Sequence, residues 1–441
     1  MNRRAFVKLL ATAAPAALVF PQIVRASTLG LGGGIAPSNR LNFGLIGAGG
    51  QGTMDMNAFL GLSGIQMIGV CDVDRARRVG AQKIVESKYA NRQGVDKYQG
   101  CGSYLDYEEL LARPDLDAVI VATPDHWHAL PVLAAARAGK HIFGEKPIAN
   151  SIAECRAMVA AVERSGVVFQ ANNWQRSGAG FRRAIDLARG GHLGKIKRVM
   201  VGLPSGGPRP TLNDKPTPTP AAADFDFARW LGPAPYRPYR EKSIHFHWRW
   251  SYDFGGGQLS DWICHHYDIA VLALGLQGEE VAAIRNASAT FPDLPAELRA
   301  TATDYSFEAV YHNGTVISVS SKNPSGVRIE GTDGWLSVTR GSSDCSPHLK
   351  RPVIPSDQQI YGTSTASHAQ NMIDAIRTGA VTRSPIAEVS RVTTVAHLAN
   401  AALRSGRENI TWNATAGEIT DAPDAQRFLA VTYRAPYVLQ G

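Results

Sequence analysis

The chain has 441 residues, long enough for two or three domains with sizeable cores, and its 44% hydrophobic and 19% charged residues are an ordinary globular balance. The net charge is +8, from 46 basic and 38 acidic residues, and no long basic run occurs past the amino terminus, so nucleic-acid binding is not inferred. Five cysteines (Cys71, Cys101, Cys155, Cys264 and Cys345) are scattered and odd in number, which excludes a disulfide framework and a zinc pattern and leaves five reduced, mostly buried thiols.

In chain order, Asn2-Arg3-Arg4-Ala5-Phe6-Val7-Lys8 is a twin-arginine pattern. The apolar segment Leu9 to Phe20 that follows is too short for a comfortable bilayer span. Val24-Arg25-Ala26 places small residues where cleavage before Ser27 requires them. Residues 1–26 therefore read as a signal for the twin-arginine export machinery, with a periplasmic or otherwise exported location. An uncleaved anchor is the alternative. Residues 27–40, rich in Gly, Ser and Pro, read as a linker.

A strand over Asn42–Gly47 ends in Gly47-Ala48-Gly49-Gly50-Gln51-Gly52, a Gly-x-Gly-x-x-Gly, and a helix begins at Gln51. Gly47 permits the tight turn, Gly49 lets the backbone approach a pyrophosphate, and Gly52 lets the helix pack close to the strand. Gly50 and Gln51 complete the turn, where free N–H groups and the helix dipole meet the phosphates. The next strand, Ile65–Asp72, ends in a carboxylate suited to the adenosine ribose hydroxyls. Asp72 also repels a 2′-phosphate, which favours NAD over NADP, while Arg75, Arg77 and Arg78 leave a phosphate partner nearby.

Alternation continues with a helix near Arg75–Ser87, a strand over Asp117–Ala122, a helix from His128 to Ala138, the strand His141–Gly144, a helix near Ile152–Ser165 and a strand over Val167–Gln170. Such alternation means a doubly wound parallel sheet covered on both faces, assigned to residues 41–170. From residue 171 to 441 the character changes to α+β. A helix over Gly180–Arg189, a strand over Ile196–Val201 and a Pro-rich loop at 204–220 lead to β-rich runs at 281–290, 303–311, 314–321, 326–330 and 334–339. These predict an open, largely antiparallel sheet. Two helices, His368–Arg377 and Glu388–Ser405, close the core, and the tail from Thr411 is expected to be irregular. No internal repeat occurs.

Three segments carry the chemistry: Ala122-Thr123-Pro124-Asp125-His126-Trp127-His128, Gly144-Glu145-Lys146-Pro147, and Gly255-Gly256-Gly257-Gln258-Leu259-Ser260-Asp261-Trp262-Ile263-Cys264-His265-His266. The first two sit at carboxyl ends of parallel strands, where ligands bind. Together the three resemble the glucose–fructose oxidoreductase, inositol dehydrogenase and rhizopine-catabolism (Gfo/Idh/MocA) family, with the resemblance running from about Asn42 to His266. It implies a Rossmann domain followed by an α/β domain whose open sheet shapes a sugar pocket and often mediates homo-oligomerisation. It also implies that Lys146 binds a substrate hydroxyl and lies near the nicotinamide of the cofactor, that Asp261 and His265 are an acid–histidine pair with His265 as general base, and that Thr123, Pro124, His128, Glu145 and Asn173 line the cofactor.

The residues support that chemistry on their own terms. Asp261 and His265 are spaced i, i+4, so on a helix they share a face, and a carboxylate there orients an imidazole and stabilises its protonated form. An unperturbed imidazole pKa of about 6.5 suits proton transfer near neutrality. Lys146 brings positive charge to a developing alkoxide. His266, about 100° around a helix from His265, is expected behind it rather than on the substrate. The histidines at 126, 128, 245, 247, 265 and 266 match no zinc spacing, and no metal is assigned.

Trp174, Arg176, Trp248, Arg249 and Trp250 form two short motifs in the second domain. Aromatic faces stack on sugar C–H surfaces and arginines donate to hydroxyls or acids, so Arg176 and Arg249 are candidate substrate contacts, with core packing the equal alternative for each tryptophan.

Two enzymatic readings result, besides a sugar sensor or scaffold that keeps NAD only as structure, against which an intact Lys146, Asp261 and His265 argue. One is an exported oxidoreductase moving hydride from a secondary hydroxyl of a sugar or glycoside, with position 3 suggested by family relatives, to tightly held NAD. The other is an NAD-dependent glycoside hydrolase working by transient oxidation at C3, elimination, water addition and re-reduction. Family members of the second kind usually carry an apolar residue where this chain has Lys146.

Overall fold

The computed structural model describes residues 39–206, 213–350 and 352–439. The twin-arginine pattern and nearly all of the expected linker lie outside the described residues. Contacts divide the chain into Met1–Leu41 and Asn42–Gly441, and the site lies wholly in the second unit.

Six strands form the first sheet: β1 Leu41–Ile46, β2 Ile65–Cys71, β3 Gly102–Tyr104, β4 Ala118–Val121, β5 His141–Gly144 and β6 Phe169–Ala171, in the order β3-β2-β1-β4-β5-β6. The pairs β2·β3, β1·β4, β4·β5 and β5·β6 are parallel. All four residues of β4, Ala-Val-Ile-Val, are buried, as befits a parallel strand covered on both faces. Strand order reverses between β1 and β4, which opens a crevice at their carboxyl ends.

Local signals set the helix limits. Asp74 caps the helix Arg75–Gln93 by accepting from the N–H groups of Ala76 and Arg77, and Gly94 at φ 63 ends it. Ser151 caps Ile152–Ser165 in the same way, and Gly166 at φ 68 stops it. Strand β3 and the short helix Tyr107–Leu111 are not in the sequence reading. A three-residue Gly-Ser-Tyr strand has no periodicity to read and exists because β2 offers it a partner.

The second sheet has nine strands: β7 Ile196–Gly202, β8 Val281–Thr290, β9 Asp304–Tyr311, β10 Val316–Ser320, β11 Gly326–Gly331, β12 Trp335–Thr339, β13 Ser342–Cys345, β14 Ile410–Asn413 and β15 Glu418–Ile419. Their order is β13-β12-β11-β7-β10-β9-β8-β14-β15. Only β7·β10 is parallel; the other described pairs are antiparallel. Strand β9 alternates buried and half-exposed residues, sending Tyr305, Phe307, Ala309 and Tyr311 inward. The helices Ala179–Arg189, His266–Ala273 and Ile386–Ser405 pack against this inner face. Ile386–Ser405 also packs on Ile152–Ser165 of the first sheet's layer, so one apolar core runs through both halves.

The tail corrects the expectation of irregular structure from Thr411. Strand β14 pairs with β8 through Ile410↔Ile284 and Thr411↔Ala283, β15 extends the edge, and a helix forms over Pro423–Gln426. Burial of Ile410, Trp412 and Ile419 holds these short pieces, and their partners are too distant in sequence to be seen there.

Candidate active site

The glycine turn begins where β1 ends. Gly47 has φ +93, and a Cβ there would sit 2.6 Å from the Ala122 carbonyl oxygen, so only glycine fits beside β4. At Gly52 a Cβ would lie 2.0 Å from the Gly47 oxygen, which explains the close packing of strand and helix. Gly49 meets only the Arg77 guanidinium and Gly50 meets nothing, so the backbone of the turn lies open to the crevice. Asp72 closes β2 and lines the same cleft. Its Oδ2 accepts from the Ala48 N–H at 2.7 Å and its Oδ1 from the Asp74 N–H at 2.8 Å. Burial pushes the Asp72 carboxyl up, and those two amides oppose the shift.

Of the three following arginines, only Arg77 lines the cleft. Arg75 faces Asp224 at the exposed surface, and Arg78 is tied to the Asp72 carbonyl and Ser103. A cradle that tolerates no Cβ at Gly47, open amides at Gly49 and Gly50, and a carboxylate at the end of β2 fit a dinucleotide.

The opposite wall joins the ends of β4 and β5. The His128 ring spans them, with Nδ1 2.7 Å from the Pro147 carbonyl and Nε2 2.7 Å from the Thr123 carbonyl. Thr123 Oγ1 is buried without a partner, and Thr123, Pro124 and Glu145 line the cleft. Glu145 accepts from Asn172 Nδ2 at 2.6 Å and from the Lys146 N–H at 3.0 Å. Asn172 also donates to Asp55 Oδ1 at 3.0 Å, and Gln51 Nε2 donates to the same oxygen at 2.9 Å. Burial, then the Glu145 charge, raises the Asp55 carboxyl well above the usual range. The sequence reading missed Asp55, which sits mid-helix with no motif to mark it.

At the cleft floor, Lys146 Nζ donates to Asp261 Oδ1 at 2.6 Å, and Arg249 Nε lies 3.7 Å from Asp261 Oδ2. Burial acts against both charges of the Lys146–Asp261 pair, yet the neighbours win. Asp261 and Glu145 raise Lys146, while Lys146 and Arg249 lower Asp261. His265 is 5% exposed, and its Nδ1 has no hydrogen-bond partner. Burial, followed by the charges of Lys146 and Arg340, drives its pKa well below the ordinary 6.5. The cleft holds about 1030 Å³, ample for a dinucleotide end and a sugar.

Three expectations are corrected here. First, Asp261 and His265 do not share one helix: Gly257–Ile263 ends at Cys264, and His265 precedes the separate helix His266–Ala273. The carboxylate pairs with Lys146 instead of His265, so the imidazole is held neutral rather than as a stabilised cation. Second, Arg176 is fully buried away from the cleft, bidentate to Asp268 at 2.6 and 2.8 Å and paired with Glu388 at 2.6 Å, and it cannot reach a substrate. Third, Asn172 faces the cleft, while Asn173 is fully buried with both amide atoms unpartnered.

Arg249, expected as a substrate contact, lines the cleft, and residues not predicted as contacts complete it. Arg249 stacks over Trp248 at 4.4 Å and Phe246 at 4.8 Å. Arg340 lies between Trp262 at 4.3 Å and Trp174 at 5.0 Å. Asp125 is buried beside Asp261, and burial together with that charge pushes its carboxyl well up. His266 lies fully buried behind His265, stacked on Trp262 and 3.3 Å from Ser325 Oγ. Among the described residues no group of three His, Cys, Asp or Glu side chains is placed to hold a metal ion.

Two family models match the chain: an oxidoreductase family NAD-binding Rossmann fold (Gfo/Idh/MocA) over residues 41–173, and the C-terminal alpha/beta domain of that family over residues 211–439. The chain is similar to the 1,5-anhydro-D-fructose reductase of Ensifer adhaerens, 39% identical over 107 residues, 24% of this chain and 31% of that protein. It is similar to a glycosyl hydrolase family 109 protein of Shewanella pealeana, 31% identical over 177 residues, 37% of this chain and 38% of that protein. The chain thus spans less than two fifths of the length of these relatives. The WlbA dehydrogenase of Bordetella pertussis, solved in complex with NADH and UDP-GlcNAcA, shares the fold with TM-score 0.61 at 18% identity, over 85% of this chain and 99% of that one. The chain belongs to the Gfo/Idh/MocA oxidoreductase family.

Proposed function

We propose that this protein is an NAD-dependent oxidoreductase that takes hydride from a secondary hydroxyl of a sugar or glycoside. The observation that carries the reading is the Lys146–Asp261 ion pair beside a neutral, unpartnered His265 at the floor of the dinucleotide cleft. Gly47, Gly49, Gly50, Gln51, Gly52 and Asp72 would hold the adenosine and pyrophosphate end, and Thr123, Pro124, Glu145 and Asn172 the nicotinamide end. When bound, the dinucleotide supplies the hydride acceptor.

The chain supplies the acid–base chemistry. His265, neutral at pH 7, accepts the hydroxyl proton as the carbon is oxidised. The Lys146 ammonium stabilises the alkoxide that develops there. Asp261 fixes Lys146 by its short hydrogen bond and keeps it charged despite burial. Asp72 at the ribose position favours NAD over NADP, with Arg77 the nearest phosphate partner in the cleft.

The twin-arginine pattern at Arg3-Arg4 supports a location outside the cytoplasm in this reading. Twin-arginine export carries folded proteins with their cofactor, and free NAD is scarce outside. The dinucleotide is therefore held tightly and regenerated within each cycle or by a second substrate in the same cleft. The likeness to a glycosyl hydrolase family 109 protein favours a second reading, redox-neutral glycoside cleavage. There, oxidation at C3 acidifies the C2 proton, elimination expels the C1 substituent, water adds, and the ketone is reduced again. Lys146, charged and paired with Asp261, favours net oxidoreduction.

The test is to purify the protein without added cofactor and record absorbance near 340 nm with a glycoside panel. Retained dinucleotide that becomes stably reduced by one sugar supports the first reading. Aglycone release without lasting reduction moves the assignment to the second. Neither reduction nor release with any glycoside removes both.

A further inference from the structure

We infer that the substrate carries an acidic group, a carboxylate held by Arg340 in the cleft that Lys146, Asp261 and His265 line. The inference rests on the sugar-oxidoreductase reading and names its substrate class. Arg340 sits at the tip of the two-residue hairpin between β12 and β13, which pair through Thr339↔Ser342. A tip arginine is normally mobile, yet this one is fixed on three sides. The Trp262 and Trp174 rings cover its faces at 4.3 and 5.0 Å. With the Gln175 amide oriented to satisfy both neighbours, its oxygen accepts from Arg340 Nε at 2.9 Å and its nitrogen donates to the His265 carbonyl at 2.9 Å.

That leaves the two terminal nitrogens. Among the described residues no hydrogen bond or ion pair engages them, although Arg340 lines the same cleft as Lys146, Asp261 and His265 and feels the Asp261 charge. A planar guanidinium with its faces stacked, its Nε tied and its outer edge open is a preorganised fork for two coplanar oxygens. The charges around it agree. Lys146, Arg249 and Arg340 face the carboxylates of Asp261 and Glu145, and Asp125 is pushed toward its neutral form, so the substrate end of the cleft keeps a net positive charge. Because Gln175 links Arg340 to the backbone of His265, a carboxylate bound there also sets the sugar relative to the base.

The probes are methyl glucosides and galactosides of both anomers and the corresponding methyl uronides, titrated into the dinucleotide-bound protein. Binding is read by quenching of tryptophan fluorescence, since Trp174 and Trp262 flank the fork, and reduction by absorbance at 340 nm in the same titration. At least one uronide should bind about 10- to 30-fold more tightly than its neutral counterpart. R340Q should shrink that ratio to within about threefold, and R340K, which keeps the charge and loses the fork, should fall between. The dinucleotide affinity of each variant verifies its folding. Sulfate esters of the same glycosides separate a planar carboxylate site from a general oxyanion site, and tighter binding of the sulfates overturns the carboxylate assignment. Equal affinity for acidic and neutral sugars, or no binding of either, overturns the inference, and reduction by neutral sugars at equal affinity does so while leaving the oxidoreductase reading in place. An acid preference lost in R340Q, without any reduction, upholds the inference and removes that reading instead.

Discussion

Replacing Lys146 by methionine keeps most of the side-chain length and removes the ammonium. That group lies 2.6 Å from Asp261 Oδ1, where the attraction at an effective dielectric of about 20 is roughly 6 kcal/mol before the burial cost of both ions. The two side chains are 12% and 18% exposed, so solvent screens them little. Removing one partner of such a pair costs about 3–5 kcal/mol. K146M should lie at the low end, because Arg249 remains 3.7 Å from Asp261 as a second counter-charge. The double variant K146M/D261N should regain most of the stability, since no buried charge is then left alone.

Activity should not follow stability. Without the ammonium at the developing alkoxide, hydride transfer in K146M should fall about 10²- to 10³-fold, and K146M/D261N should not recover it. The pH profile supplies an independent check. Wild-type turnover requires neutral His265, whose pKa is well below 6.5 through burial and then Lys146, so the rate should be flat above about pH 6.5 and fall only at lower pH. In K146M that acidic limb should move upward. Urea denaturation reads the stability, and stopped-flow absorbance at 340 nm reads the transfer. Transfer within threefold of wild type, or an acidic limb that stays in place, would refute the roles given to Lys146.

H265N should lower hydride transfer about 10²- to 10⁴-fold while dinucleotide affinity stays near wild type, checked by single-turnover absorbance and fluorescence titration. R176M should lose about 3–5 kcal/mol of stability in urea, because Asp268 is 1% exposed and would be left as a buried unpaired charge, with KM of the folded variant little changed. G47A should weaken dinucleotide binding at least tenfold by equilibrium titration, since φ +93 and a 2.6 Å approach to the Ala122 oxygen force the turn to move. The Lys146–Asp261 contribution to stability should be full between about pH 4 and pH 10. It is lost as pH falls through the lowered Asp261 pKa or rises through the raised Lys146 pKa, which acid and alkaline denaturation at fixed urea would show.

The long elements were legible because their periodicity is local. Ile152–Ser165 has the limits read from the sequence, and the runs near 281–290 and 326–330 form β8 and β11. Strand β3 and the tail strands β14 and β15 were not, since each is two to four residues long and stable only against a distant partner. In the site, glycines needed for close backbone approach announced themselves by spacing. Asp55, Arg340 and Trp262 did not, because their roles arise from neighbours that the fold brings in from other segments.

What the sequence determined by itself was the dinucleotide turn, the carboxylate that ends β2, and the Glu-Lys-Pro and Asp-x-x-x-His segments, all defined by covalent spacing. Only the tertiary structure decided which charge meets which. Asp261 turned to Lys146 rather than His265 because the helix ends at Cys264, and Arg176 went to Asp268 and Glu388 in the core instead of to the cleft. Pairing energies depend on distance and burial, and both are properties of the packed chain and not of its order of residues.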